Sequence, residues 1–275
     1  MKYVTSLAVI ITFFISYSMA SQEIGLQLYS LRNEFKKDVP GTFAKIEKWG
    51  ITKVEDGNDG TQGYSMEEYK ALLKKHNINI VSASASFEEL QDSPETVIER
   101  TNGYDAKYVV CFWIPHQDTI FTITETEKAL KVFNEAGKKL KKEGITLAYH
   151  PHGYEFRPYK GETLLDYMIK NAKHFEFEMD VYWFAHPGED PIEWLRRYPN
   201  RFKLMHIKDC EKGIEGNQNG QSDVETNVVL GTGQIDIAGI VEEAEKIGIE
   251  YIFIEDESSK SEKQIPLSLE YLKSL

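Results

Sequence analysis

From Ser21 to Leu275, short apolar runs and longer amphipathic runs alternate eight times with no linker-like stretch between them. The strand-like runs are Ile24–Tyr29, Lys53–Glu55, Asn79–Ser84, Tyr108–Trp113, Ile145–Tyr149, Phe175–Asp180, Phe202–His206 and Glu250–Glu255. Between them lie helix-like segments with recognisable boundaries. Ser65 followed by Glu68 reads as a capping box, Ser93-Pro94 places proline at a helix start, and Gly50 and Gly144 close helices. Regular strand–helix alternation favours parallel strands covered by helices. Eight such units in about 250 residues are the size of a (β/α)8 TIM barrel, here a single α/β domain over residues 21–275. A doubly wound sheet would need a glycine-rich turn after the first strand. Tyr29-Ser-Leu-Arg-Asn33 is not one, and Gly231-Thr-Gly233 follows a loop instead of a strand.

Residues 1–20 stand apart. Met1-Lys2, the apolar run Val4–Tyr17 and Ser18-Met-Ala20 have the layout of a secretory signal peptide cut after Ala20. The run is at or below the ~17 residues that span a bilayer, so the expectation is export to the periplasm without stable membrane insertion. A net charge of -12, with no basic stripe bearing interleaved aromatics, argues against nucleic-acid binding. Cys111 falls in the fourth predicted strand and Cys210 just past the seventh, nearly opposite in a closed barrel. Two free, buried thiols are therefore expected, not a disulfide.

Barrel enzymes carry their chemistry at the C-terminal ends of the strands. In order those ends read Glu55, Ser84, Trp113, His150/His152, Asp180, His206 and Glu255. His150 and His152 are two apart and share a strand face unless Pro151 twists the chain, and Glu155 follows closely. Single acidic residues often end strands merely because they are solvated there. Metal-ligating types on four successive strand ends are a more pointed pattern. Mixed imidazole and carboxylate donors suit a divalent transition metal better than calcium.

YHPHGYEF (149–156), DVYW (180–183), HIKD (206–209), GTGQIDI (231–237) and IFIE (252–255) together resemble the sugar phosphate isomerase/epimerase group. These are xylose-isomerase-like barrels that include inosose dehydratases, ketose 3-epimerases and 3-keto-glycoside lyases. The resemblance covers nearly all of residues 21–275 and implies one divalent metal (Mn, Co, Zn, Fe or Mg). It maps the ligands onto His150, Asp180, His206 and Glu255, with Glu155 the alternative to His150. It also implies a sugar or sugar derivative as partner.

For such a site the expected acid/base candidates are Glu155, His152 and Glu255, with Lys208 neutralising a developing oxyanion. Tyr29, Trp113 and Trp183 are the candidate apolar wall for a sugar ring. Isomerisation, epimerisation and elimination all remain open, and export favours unphosphorylated sugars or oxidised glycosides. A non-catalytic carbohydrate-binding barrel is the alternative. A DNA-repair endonuclease on the same barrel is disfavoured by the acidic chain and its seven histidines. The polar stretch Glu211–Gly233 is expected to be mobile and to cover the site or meet a second subunit, leaving a homo-oligomer open.

Overall fold

The structure, a computed structural model, describes residues 22–56 and 61–275, so the predicted signal peptide lies outside the described residues. Eight parallel strands close into one barrel. In chain order they are β1 (Glu23–Gln27), β2 (Lys53–Glu55), β3 (Asn79–Ser84), β4 (Tyr108–Cys111), β5 (Thr146–Tyr149), β6 (Glu176–Asp180), β7 (Phe202–Ile207) and β8 (Tyr251–Ile254). Each pairs with its sequence neighbours, and β8 returns to β1 with Ile24 opposite Ile252. This is the expected (β/α)8 barrel. No helix among the described residues is long and apolar enough to cross a membrane.

The helices begin where side chains satisfy their first N–H groups. Ser65 with Glu68, Ser86 with Glu89, Thr122 with Glu125 and Thr163 with Asp166 each form a reciprocal capping box. Their apolar faces bury against the outer face of the sheet. A separate apolar set, Val81, Val110, Ala148, Leu204, Tyr251 and Phe253, fills the barrel interior. A Cβ on Gly25 of β1 would lie 2.6 Å from the Phe253 ring, so this glycine leaves the room that the ring takes.

Two strands stop two residues short of the C-terminal ends that the sequence suggests. β1 stops at Gln27, whose side-chain oxygen accepts the Tyr29 N–H at 2.9 Å, and the chain turns out through Leu28–Leu31. β4 stops at Cys111, which leaves Trp113 on the loop beyond. Cys111 and Cys210 are both free and buried, as expected, and burial pushes the two thiols up to about 12 and about 11.

The stretch expected to be mobile is instead tied down along its length. Asp209, buried just past β7, accepts from the backbone N–H of Cys210, Gly231, Gly233 and Ile235 at 2.9–3.1 Å. A short antiparallel pair, Asp209–Cys210 with Asn227–Val228, closes its base. Further out, Arg157 donates to the Gln218 carbonyl, and the Gly220 backbone packs on the Tyr154 ring. The link between HIKD and GTGQIDI is therefore physical: one carboxylate holds the loop that carries the second motif. Asp209→Ala leaves four N–H groups without their acceptor and is expected to cost at least about 3 kcal/mol in urea unfolding. A loss under about 1 kcal/mol would remove Asp209 from that role.

Candidate metal centre

Alternate residues of a strand face the same side. The positions two beyond the interior Val110, Ala148, Leu204 and Phe253 are Phe112, His150, His206 and Glu255, which form the next layer up. Asp180 at the end of β6, Lys208 past β7 and Glu55 at the end of β2 join it. All of these polar groups except Glu255 are 2% exposed or less.

The imidazoles and carboxylates converge. His150 Nε2 is 3.6 Å from Asp180 Oδ2, and His206 Nδ1 is 3.3 Å from Glu255 Oε2. Donor atoms of His150, Asp180 and His206 all lie within 4.8 Å of one another. Lys208 Nζ adds contacts of 2.9 Å to Glu255, 2.6 Å to Glu257 and 3.8 Å to Asp180. Behind this ring, Glu178 meets both histidines, and Glu55 hydrogen bonds to His206 Nε2 while accepting from Gln27 at 2.9 Å.

Asp180 divides its work between its two oxygens. Oδ1 caps the helix Val181–Ala185, accepting from Tyr182 N at 2.8 Å and Trp183 N at 3.4 Å. Oδ2 is buried, faces the cluster and has no hydrogen-bond partner. Burial pushes this carboxyl up to about 7, against the pull of Lys208. Burial also holds His150 well below the ordinary histidine range. For His206 burial opposes the charge, but Glu178, Glu55 and Glu255 outweigh it and raise the imidazole well above its usual value.

Three carboxylates (Asp180, Glu255 and Glu257) thus surround Lys208, and two more, Glu55 and Glu178, pack on His206. Buried charge must be paired or coordinated. Two imidazole nitrogens, an orphaned carboxylate oxygen and a second carboxylate within reach fit a divalent cation with mixed N and O donors.

Over this layer opens a cavity of about 300 Å³ lined by Gln27, Tyr29, Phe112, Trp113, His150, His152, Trp183, Glu255 and Glu257. Tyr29 and Trp113 are part-exposed at 38% and 48%, which leaves both rings available to a ligand. His152 stands with its ring 4.7 Å from that of His150 and 5.5 Å from that of Trp183. Its Nδ1 is buried and unpartnered, and burial lowers its pKa to about 4, so the imidazole is neutral at physiological pH.

The structure therefore brings His150, His152, Asp180, His206, Lys208 and Glu255 together and sets Tyr29, Trp113 and Trp183 around them. It does not bring Glu155 there. Gly153 takes a left-handed φ of 98° and Tyr154–Phe156 form a tight turn that carries Glu155 back to Tyr149. Tyr149 faces outward, against Phe133 of the helix Ile123–Leu140. One Glu155 oxygen binds the Tyr149 hydroxyl and the other accepts His152 N–H at 3.1 Å, so this carboxylate braces the loop from outside the barrel wall. That corrects the expectation that it serves as fourth ligand or acid/base. Lys208 pairs with Asp180, Glu255 and Glu257, leaving Asp209 to the loop.

Sequence reasoning missed Glu178, Glu257, Gln27 and Phe112, and it noted Glu55 only as a strand end. The available signal for Glu178 was the run Glu176-Phe-Glu-Met-Asp180, which puts three acids on one face of a barrel strand.

A family model for the xylose isomerase-like TIM barrel matches residues 43–275. An inosose dehydratase of Mesomycoplasma hyopneumoniae strain J is 34% identical over 205 residues, covering 72% of this chain; the chain spans 64% of that protein's length. A solved sugar phosphate isomerase/epimerase from Parabacteroides distasonis ATCC 8503 superposes with a TM-score of 0.76 at 25% identity, covering 93% of this chain and 99% of that one. The IolI protein, solved with a bound zinc atom, shares the fold with a TM-score of 0.71 at 16% identity, over 92% of this chain and 97% of that one. The protein belongs to the xylose isomerase-like TIM barrel family.

Proposed function

We propose that this protein is a divalent-metal-dependent sugar isomerase/epimerase-type enzyme that removes a proton from the carbon beside a sugar carbonyl. The observation that carries the reading is the floor of the cavity. There His150 Nε2, Asp180 Oδ2, His206 Nδ1 and Glu255 face one another beneath an aromatic wall. Held by these four residues, a cation supplies Lewis-acid polarisation of adjacent hydroxyl and carbonyl oxygens.

The chain's own groups do the rest. His152 lines the cavity, is neutral and has a buried ring nitrogen without a hydrogen-bond partner, properties that suit a proton acceptor. Lys208 keeps Glu255 and Glu257 in place and puts positive charge beside a developing oxyanion. Tyr29, Trp113 and Trp183 give the apolar faces of a sugar ring something to lie against and exclude water from the reacting carbon.

Among the described residues, those lining the cavity include no lysine or arginine, whereas Glu255 and Glu257 are part of the wall. A phosphate group would be repelled, so the substrate is an unphosphorylated sugar or a glycoside. In a 3-keto-glycoside, His152 would take the proton from C2. The C–H electron pair would become the C1–C2 double bond as the C1–O bond breaks, and the departing alkoxide would take up a proton to leave as an alcohol. The relatives' name, inosose dehydratase, describes a loss of water, for which the same first step serves.

The test is incubation in D2O with free ketoses and, separately, with 3-keto-glucosides, before and after chelation and metal re-addition. Deuterium entry beside the carbonyl or release of aglycone is expected, lost on chelation and restored by Mn, Co or Zn. No exchange and no cleavage with either substrate class overturns the reading. One observation favours a second reading, a carbohydrate-binding barrel without metal: the Lys208 ammonium already neutralises part of the donor cluster. Purified protein free of metal and unable to take it up would favour that reading.

A further inference from the structure

Glu178 lies in the wrong layer for a charge. Opposite Leu204, one of the apolar side chains that fill the barrel, β6 places a carboxylate of zero exposure that does not line the cavity. Leaving charge at that depth is costly unless it is tightly paired, and its contacts show what it is paired with. One oxygen, Oε2, lies 3.0 Å from His150 Nδ1 and 3.2 Å from His206 Nε2.

A carboxylate oxygen accepts and does not donate, so His150 Nδ1 presents N–H to Glu178, while His206 Nε2 presents N–H to Glu55 with Glu178 beside it. With that nitrogen protonated, the lone pair of a neutral ring sits on the other nitrogen: Nε2 in His150, Nδ1 in His206. Those are the two nitrogens that face Asp180 and Glu255. In a metal-loaded site, where both rings are neutral, Glu178 thus selects the tautomer of His150 and shares with Glu55 the selection of that of His206.

We propose that Glu178 is the positioning residue of the metal centre, fixing the tautomer and tilt of both histidines so that their lone pairs meet at one point. Glu55 reaches His206, Gln27 and Glu178, whereas Glu178 is the carboxylate in contact with both imidazoles, so the setting of His150 falls to Glu178. The inference rests on the metal reading above and adds to it the residue that prepares the ligands.

Metal titration of Glu178→Gln against the unaltered protein tests it. The glutamine keeps the size of the side chain but has one acceptor and one donor end, so it cannot accept from both rings without forcing one to turn. Zinc and cobalt dissociation constants are expected to rise 10–100-fold, with a changed cobalt visible spectrum and partial recovery in Glu178→Asp. In nitrogen–proton correlation spectra of the zinc-loaded, unaltered protein, His150 is expected to carry its proton on Nδ1 and His206 on Nε2.

Either opposite tautomer overturns the proposal, and that readout does not require the variant to fold. A Glu178→Gln protein that binds zinc within twofold of the original, with the same cobalt spectrum, also overturns it while leaving the metal centre standing. Failure of the unaltered protein to bind any divalent cation removes the metal reading and this inference with it.

Discussion

Lys208→Met is expected to lose about 3–5 kcal/mol of stability, the range for removing one partner from a buried charge group. The ammonium is 2% exposed and holds Glu255, Glu257 and Asp180 at 2.9, 2.6 and 3.8 Å. Methionine fills most of the space but leaves three carboxylates facing one another with no fixed cation. For a chain of this length, where 1 kcal/mol shifts Tm by about 2–4 °C, the midpoint should fall by roughly 10 °C. Added Mn or Zn should restore part of the loss, because a cation at the same cluster neutralises the same carboxylates. Urea unfolding with and without metal measures both effects. A variant as stable as the original would mean that the lysine is not embedded in this network.

The second large effect is on turnover. Asp180→Asn should lower kcat by about 10²–10³-fold or more, the scale on which removal of one group from an electrostatic site is felt. Its stability should change by less than about 1 kcal/mol, since the amide oxygen still caps Val181–Ala185 as Oδ1 does and only the Oδ2 function is lost. Asp180→Ala should lose the cap as well, about 1 kcal/mol further. Paired kinetics and denaturation separate the two oxygens. Equal activity in Asp180→Asn would mean that Oδ2 is not a ligand.

The barrel was legible because its determinants are local. Alternation of apolar runs, capping boxes at Ser65 and Thr163, and glycines at helix ends are each written within a few residues. Asp180 and His206 were legible as site candidates for the same reason, standing where β6 and β7 stop being apolar. Glu155 was misplaced because nearness in sequence says nothing about a reversal at Gly153, and because Tyr149, one residue from His150, faces the other side of the wall. Glu178 was passed over as an ordinary member of a charged strand. Its meaning comes from two histidines, 28 residues away on each side, that only barrel closure brings to it. The loop from Glu211 read as mobile from composition, and its anchor, the Asp209 carboxylate, is invisible until the backbone N–H groups of Gly231, Gly233 and Ile235 are seen to point at it.

The apolar plug under the charged layer also sets the traffic. Phe253 is seated against Gly25, with Val110, Ala148 and Leu204 beside it, so among the described residues the barrel below the cavity is filled by apolar side chains. Whatever enters past Tyr29 and Trp113 must depart the same way. A substrate split in two would therefore release its rim-side fragment first, and the fragment left on the floor would act as a competitive product inhibitor.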